Sequence, residues 1–166
     1  MKRAVTCLLL AGLGGALGCY HLGPVGKNTP RSVAVPMFKN RTLKPQLEAQ
    51  VTNAIIKRLQ ADGSVRVDRP ANADVVVTGV ITRYQRDMLR TQKTDTSVTR
   101  EYRLGIEALV EARDRTTGAV LLKPTTLTGH ADSFLGNDLQ SAEEQALPLI
   151  ADDLARQVVR LLVEGW

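Results

Sequence analysis

Between Val98 and Arg113 the chain alternates so regularly that little except a half-buried strand can accommodate it. Val98, Arg100, Tyr102, Leu104, Ile106, Ala108, Val110 and Ala112 share one parity, and Thr99, Glu101, Arg103, Glu107, Glu111 and Arg113 share the other. One face must therefore meet a core while the other stays wet, and the rest of the chain has to supply the covering layer. The polar stretch "RDRTTG" (113–118) predicts a hairpin turn, and 119–131 returns as the partner strand, interrupted by Pro124.

Upstream, "SVAVPMF" (32–38) reads as a first strand in which Pro36, lacking a donor, predicts an edge position or a bulge. From Pro45, which suits a first helical position, Leu47, Val51, Ala54, Ile55 and Leu59 form one helical stripe that stops at Gly63. "SVRV" (64–67) is a short strand, and "ADVVVTGVITRYQRD" (73–87) runs from continuously apolar to alternating, as a strand does on leaving a core. "MLRTQKTDTS" (88–97) reads as the loop that follows. A capping box at Ser141 and Glu144 opens a last helix carrying Leu147, Ile150, Leu154, Val158, Leu161 and Leu162 on one side, with Pro148 set to kink or divide it.

A length of 166 residues suits one domain. The order of elements predicts an α+β fold: a two-layer sandwich with a mostly antiparallel sheet of four to five strands and two amphipathic helices on one face.

The N-terminus has its own logic. Lys2 and Arg3 precede 15 uncharged residues, Ala4 to Gly18, which as a helix would reach roughly 22 Å against a hydrocarbon core of roughly 30 Å. That reads as a secretory signal, residues 1–18. "ALGC" resembles a bacterial lipobox, which implies cleavage before Cys19 and acylation of its thiol and new amine. Two or three acyl chains would hold the protein on a membrane, where one would not. "YHLGPVGKNTPR" (20–31), rich in Pro and Gly, continues from Cys19 as a tether, leaving 32–166 as the single domain. Cys7 departs with the signal, so no internal disulfide can form.

Catalytic and metal chemistry is poorly supplied. The two histidines, His21 and His130, have no second ligand at metal spacing. The pairs Glu143-Glu144 and Asp152-Asp153 point about 100° apart on a helix and read as a solvated face. Asn40-Arg41-Thr42 forms a glycosylation sequon of little meaning in a bacterial lipoprotein. An aromatic content of 4% and a charge of +3 once the signal is removed, 20 basic against 17 acidic residues, argue against a nucleic-acid partner. The basic residues Arg83, Arg86, Arg90, Lys93, Arg100 and Arg103 flank the 88–97 loop with few acids nearby in sequence. A hairpin would gather them at one end of the sheet, either to bind phosphate groups or as a solvated, edge-protecting surface. Arg100 stands out because it shares parity with the buried face.

"GCYHL", "SVAVPMFKNRT" leading into "LEAQVTNAIIKRLQADGSVRV", "ADVVVTGVITRYQRD", "EYRLGIEALVEARDRTTGAVL" and the closing amphipathic helix together resemble the LptE family, the outer-membrane lipoproteins of the lipopolysaccharide-assembly translocon. The resemblance covers nearly the whole mature chain. It implies a protein without enzymatic activity or cofactor, lipid-anchored at the outer membrane, with its domain on the periplasmic side or inside the lumen of a large β-barrel partner. It also implies a role in stabilising that barrel and passing lipopolysaccharide to the outer leaflet. Binding of lipopolysaccharide through basic residues is carried over, as a class, onto Arg90, Lys93 and Arg100. The same strand and helix patterns also look like the oligomerising α/β domains of curli-secretion-type channel lipoproteins and other periplasmic envelope complexes.

Overall fold

In a computed structural model, which describes residues 32–94, 97–135 and 139–164, three long antiparallel strands form the body of the sheet. They are β4 (Val75–Thr94), β5 (Ser97–Asp114) and β6 (Val120–Leu135). Three short strands complete it, β1 (Ser32–Ala34) and β2 (Lys39–Asn40) on β4 and β3 (Arg66–Val67) on β1, all in parallel pairings. The order is β3-β1-β4-β5-β6, with β2 also on β4, so the sheet is mixed and six-stranded rather than mostly antiparallel with four or five strands. The discrepancy has a simple cause: strands of two or three residues are too short to display a period, and their partners lie far away in sequence.

Two helices, α1 (Leu47–Asp62) and α2 (Leu139–Glu164), cover one face. The alternation of β5 holds where the helices lie over it: Leu104, Ile106, Ala108, Val110 and Ala112 are buried, whereas Arg103, Leu109 and Arg113 are exposed. Val33, Val75, Val77 and Ile81 complete the sheet's share of the core. From α1 come Leu47, Val51, Ile55 and Leu59, and from α2 come Leu147, Ile150, Leu154, Val158 and Leu162. At roughly 1.5 to 3 kcal/mol for each large apolar side chain taken from water, this shared interior is the principal source of stability.

Several local features differ from the expectations. Pro36 lies in neither strand: β1 stops at Ala34 and the chain resumes beside β4 at Lys39, so the missing donor falls in the break between two short strands. β1 itself is internal, between β3 and β4. Helix α1 starts two residues after Pro45, following Gln46 in the left-handed region at φ 66°. It ends as expected at Gly63, whose φ of 72° suits a residue without Cβ and whose N–H returns to the Leu59 carbonyl. Helix α2 is already helical at Leu139, so Ser141 lies inside it and cannot act as its N-cap, and it runs through Pro148 as one element. Residues 88–94, expected as loop, continue β4, where the β-branched Thr91 and Thr94 suit a ladder. The turn at 113–118 is as expected: the Asp114 carboxylate accepts from the Thr116 and Thr117 N–H groups, and Gly118 takes φ 72°.

Two glycines permit close approaches. A Cβ on Gly79 would fall 2.0 Å from the Phe38 ring, which packs there against β4. A Cβ on Gly129 would fall 2.5 Å from the Ile150 carbonyl oxygen and 2.8 Å from the Leu154 nitrogen, so α2 lies directly on the backbone of β6. Beside this contact α2 also satisfies the free edge of the sheet. The His130 N–H donates to Asp153 at 3.0 Å, and the Gln157 amide donates to the Thr128 carbonyl at 2.9 Å. A helix thus occupies backbone groups that would otherwise invite another strand. Replacing Gly129 with Ala is expected to lower unfolding stability by about 1 to 3 kcal/mol, because helix backbone rather than a flexible side chain would have to move. Urea denaturation of Gly129→Ala against the parent chain measures this, and an unchanged midpoint would contradict the packing described.

Candidate functional site

The paired strands β4 and β5 extend well past the core. At about 3.3 Å per residue, β4 is roughly 65 Å long, and the fully buried side chains on the helix-facing side end at Ile81 and Leu104. Beyond them the strands continue as a ribbon, with register shifts between Ile81 and Arg83 and between Met88 and Arg90 that re-aim the side chains of β4. Met88 and Leu89 are exposed there.

All three residues expected to contact lipopolysaccharide lie on this distal ribbon. Arg90 is paired with Glu101, Thr91 with Arg100, and Lys93 with Val98. The backbone therefore brings Arg90, Lys93 and Arg100 to one end of the sheet, and Arg100, despite its parity, falls past the edge of the core. Cys19 and the tether at 20–31 lie outside the described residues.

Two other cations of the hairpin, Arg86 and Arg103, have partners that sequence proximity did not reveal. Arg103 donates from Nε and Nη2 to the two carboxylate oxygens of Asp132 on β6, at 2.7 and 2.9 Å. This fork-on-fork pairing holds the Asp132 carboxyl below its usual range. Arg86 reaches Glu143 on α2 at 2.5 Å, and Lys44, from the segment before α1, reaches the same carboxylate at 3.4 Å. Glu143 is only 13% exposed and ties three elements together. Of the basic residues read from the sequence, Arg103 and Arg86 are thus neutralised by acids from β6 and α2.

Tyr84 sits among these groups with its hydroxyl buried and without a hydrogen-bond partner, the Lys44 ammonium 5.9 Å from its ring centroid. Burial first, then the neighbouring Glu143 carboxylate, push its pKa up to about 12. A phenol protonated more tightly when folded than when unfolded contributes fully below pH 10 and loses that contribution as the pH rises toward 12. Replacing Tyr84 with Phe is expected to be neutral or stabilising by up to about 1 kcal/mol at pH 7, since it removes an unpaired buried hydroxyl. The same change should flatten the alkaline limb of the stability profile, which thermal melts between pH 8 and pH 12 can follow; an identical alkaline limb in both proteins would contradict it.

Among the described residues no group of three His, Cys, Asp or Glu side chains is placed to hold a metal ion. No helix among them is long and apolar enough to cross a membrane.

Comparison with known proteins places this geometry. A hypothetical protein from Chlamydia trachomatis is similar in structure, with a TM-score of 0.53 and 16% identity over 81% of this chain and 96% of that one. A minor lipoprotein from Acinetobacter baumannii gives 0.50 and 19% over 81% and 94%. PelC from Paraburkholderia phytofirmans, whose structure is a dodecamer, gives 0.50 and 22% over 79% and 87%. At these identities the likeness is one of fold. No curated protein sequence matches the chain significantly. The profile of one family does match, over residues 30–162, from the end of the tether through nearly all of α2, and on that match the chain belongs to the LptE family of lipopolysaccharide-assembly proteins.

Proposed function

We propose that this chain is a non-enzymatic lipoprotein of the outer membrane, acylated at Cys19, that occupies and helps assemble the β-barrel lipopolysaccharide translocon and assists delivery of lipopolysaccharide to the outer leaflet. The observation that carries the reading is the match to the lipopolysaccharide-assembly family across residues 30–162.

The physical features agree with it. The core lies on one side of the sheet, and the wet face of β5 carries Arg103, Glu107, Glu111 and Arg113. Such a polar face suits the water-filled interior of a barrel better than lipid. The edge of β6 is held by α2 around Thr128 and His130, which discourages pairing with a foreign strand. The backbone of the distal ribbon carries Arg90, Lys93 and Arg100, the cations proposed here for lipid A phosphates.

Three measurements test the reading. Mass spectrometry of the mature N-terminus should find an acylated Cys19, and Cys19→Ala should move the protein out of the membrane fraction. Solubilised membranes should yield one copy bound to one large barrel. A ring of identical copies without a barrel would replace this reading with that of an oligomerising envelope module. Arg90→Ala combined with Lys93→Ala should weaken lipopolysaccharide binding more than fivefold, about 1 kcal/mol; unchanged binding would return these residues to a solvated surface.

A further inference from the structure

A cleft of about 270 Å³ opens where the segment between β2 and α1 crosses β4, and Arg41, Lys44, Arg83 and Tyr84 help to line it. Most described arginines are already engaged. Arg58, Arg66, Arg86, Arg103, Arg113, Arg156 and Arg160 are in ion pairs, and Arg115 donates to the Ala73 carbonyl. The side chains of Arg41, Arg69 and Arg83 make no hydrogen bond or ion pair among the described residues, and two of these three line the same cleft.

The acids nearby are committed elsewhere. Glu143 is held by Arg86 and Lys44, Glu48 by the Asn40 amide at 2.8 Å, and Glu107, which the register sets opposite Arg83, by the Thr82 hydroxyl at 2.9 Å. Two guanidinium groups and an ammonium around one cavity repel one another unless an anion joins them. The supporting segment is also fixed. Asn40 donates to the Lys44 carbonyl at 2.8 Å and accepts from the Thr42 N–H and hydroxyl at 2.9 and 2.8 Å, while the Arg41 N–H donates to the Ile81 carbonyl at 3.0 Å. The apparent sequon is therefore a folded turn that presents Arg41. Between Arg41 and Lys44 the same turn leaves Leu43 fully exposed.

We propose that this cleft binds a phosphate group, with Arg41 and Arg83 as its donors, Lys44 as supporting charge and Leu43 at its rim. Paired guanidinium forks match tetrahedral oxyanions in geometry as well as charge. An apolar side chain beside them fits a phosphate that carries a lipid tail. The site is distinct from the distal ribbon, and the proposal does not rest on lipopolysaccharide binding there.

Calorimetric titration of the full mature chain with inorganic phosphate, and sedimentation with phosphatidylcholine vesicles with and without phosphatidic acid, test it. Arg41→Gln with Arg83→Gln should weaken binding at least tenfold while leaving the melting temperature in place, since neither side chain has a hydrogen bond or ion pair to lose. Arg69→Gln, which removes one charge at an unpaired arginine away from the cleft, should bind as the parent does. Loss of phosphatidate vesicle binding in Leu43→Ser, with phosphate binding kept, identifies a lipid headgroup; binding of inorganic phosphate alone identifies a free oxyanion. The proposal is overturned if the parent binds neither probe, if the double variant binds like the parent, or if Arg69→Gln weakens binding equally.

Discussion

Helix α2 lies against the backbone of β6 at Gly129, and much of the molecule depends on that contact. No side chain fits between Gly129 and the Ile150 carbonyl, so Ile150 and Leu154 reach the sheet at the closest separation two backbones allow. The same approach brings Asp153 and Gln157 within hydrogen-bonding reach of His130 and Thr128, so one helix both covers the interior and occupies part of an open edge. It also delivers Glu143 to Lys44 and Arg86, coupling the last helix to the segment that leads into the first.

Electrostatics follow from that framework. Cations near the core of the hairpin meet acids brought from distant parts of the chain, Arg103 with Asp132 and Arg86 with Glu143. Arg41 and Arg83, at the β2–α1 crossing, make no hydrogen bond or ion pair among the described residues, and the backbone carries Arg90, Lys93 and Arg100 onto the distal ribbon.

Periodicity was readable wherever an element was long enough to repeat. The buried parity of β5 from Leu104 to Ala112, the α1 stripe ending at Gly63, the Asp114–Gly118 turn and the apolar side of α2, Leu161 excepted, appear where the spacing placed them. The failures occurred where pairing partners decided the outcome. Thr91 and Thr94 looked like loop residues among polar neighbours, yet opposite Arg100 and Ser97 they continue a ladder. Ser141 and Glu144 matched a capping pattern, but a helix already under way at Leu139 leaves that pattern inside it. Arg41 was seen only as the middle of a sequon, since no local rule relates it to Arg83.

The sequence by itself determined the layer structure, the face of each long element that is buried, and the resemblance that the family match then supported. Each of these depends on the order and spacing of neighbours. Only the tertiary structure decided the parallel pairing of β1, β2 and β3, the seat of α2 on Gly129, and which acids meet Arg86 and Arg103. The reason is that charges and strand edges are satisfied by whatever the fold brings within a few ångströms, and residues as far apart as Lys44 and Glu143 become neighbours only after the chain has closed.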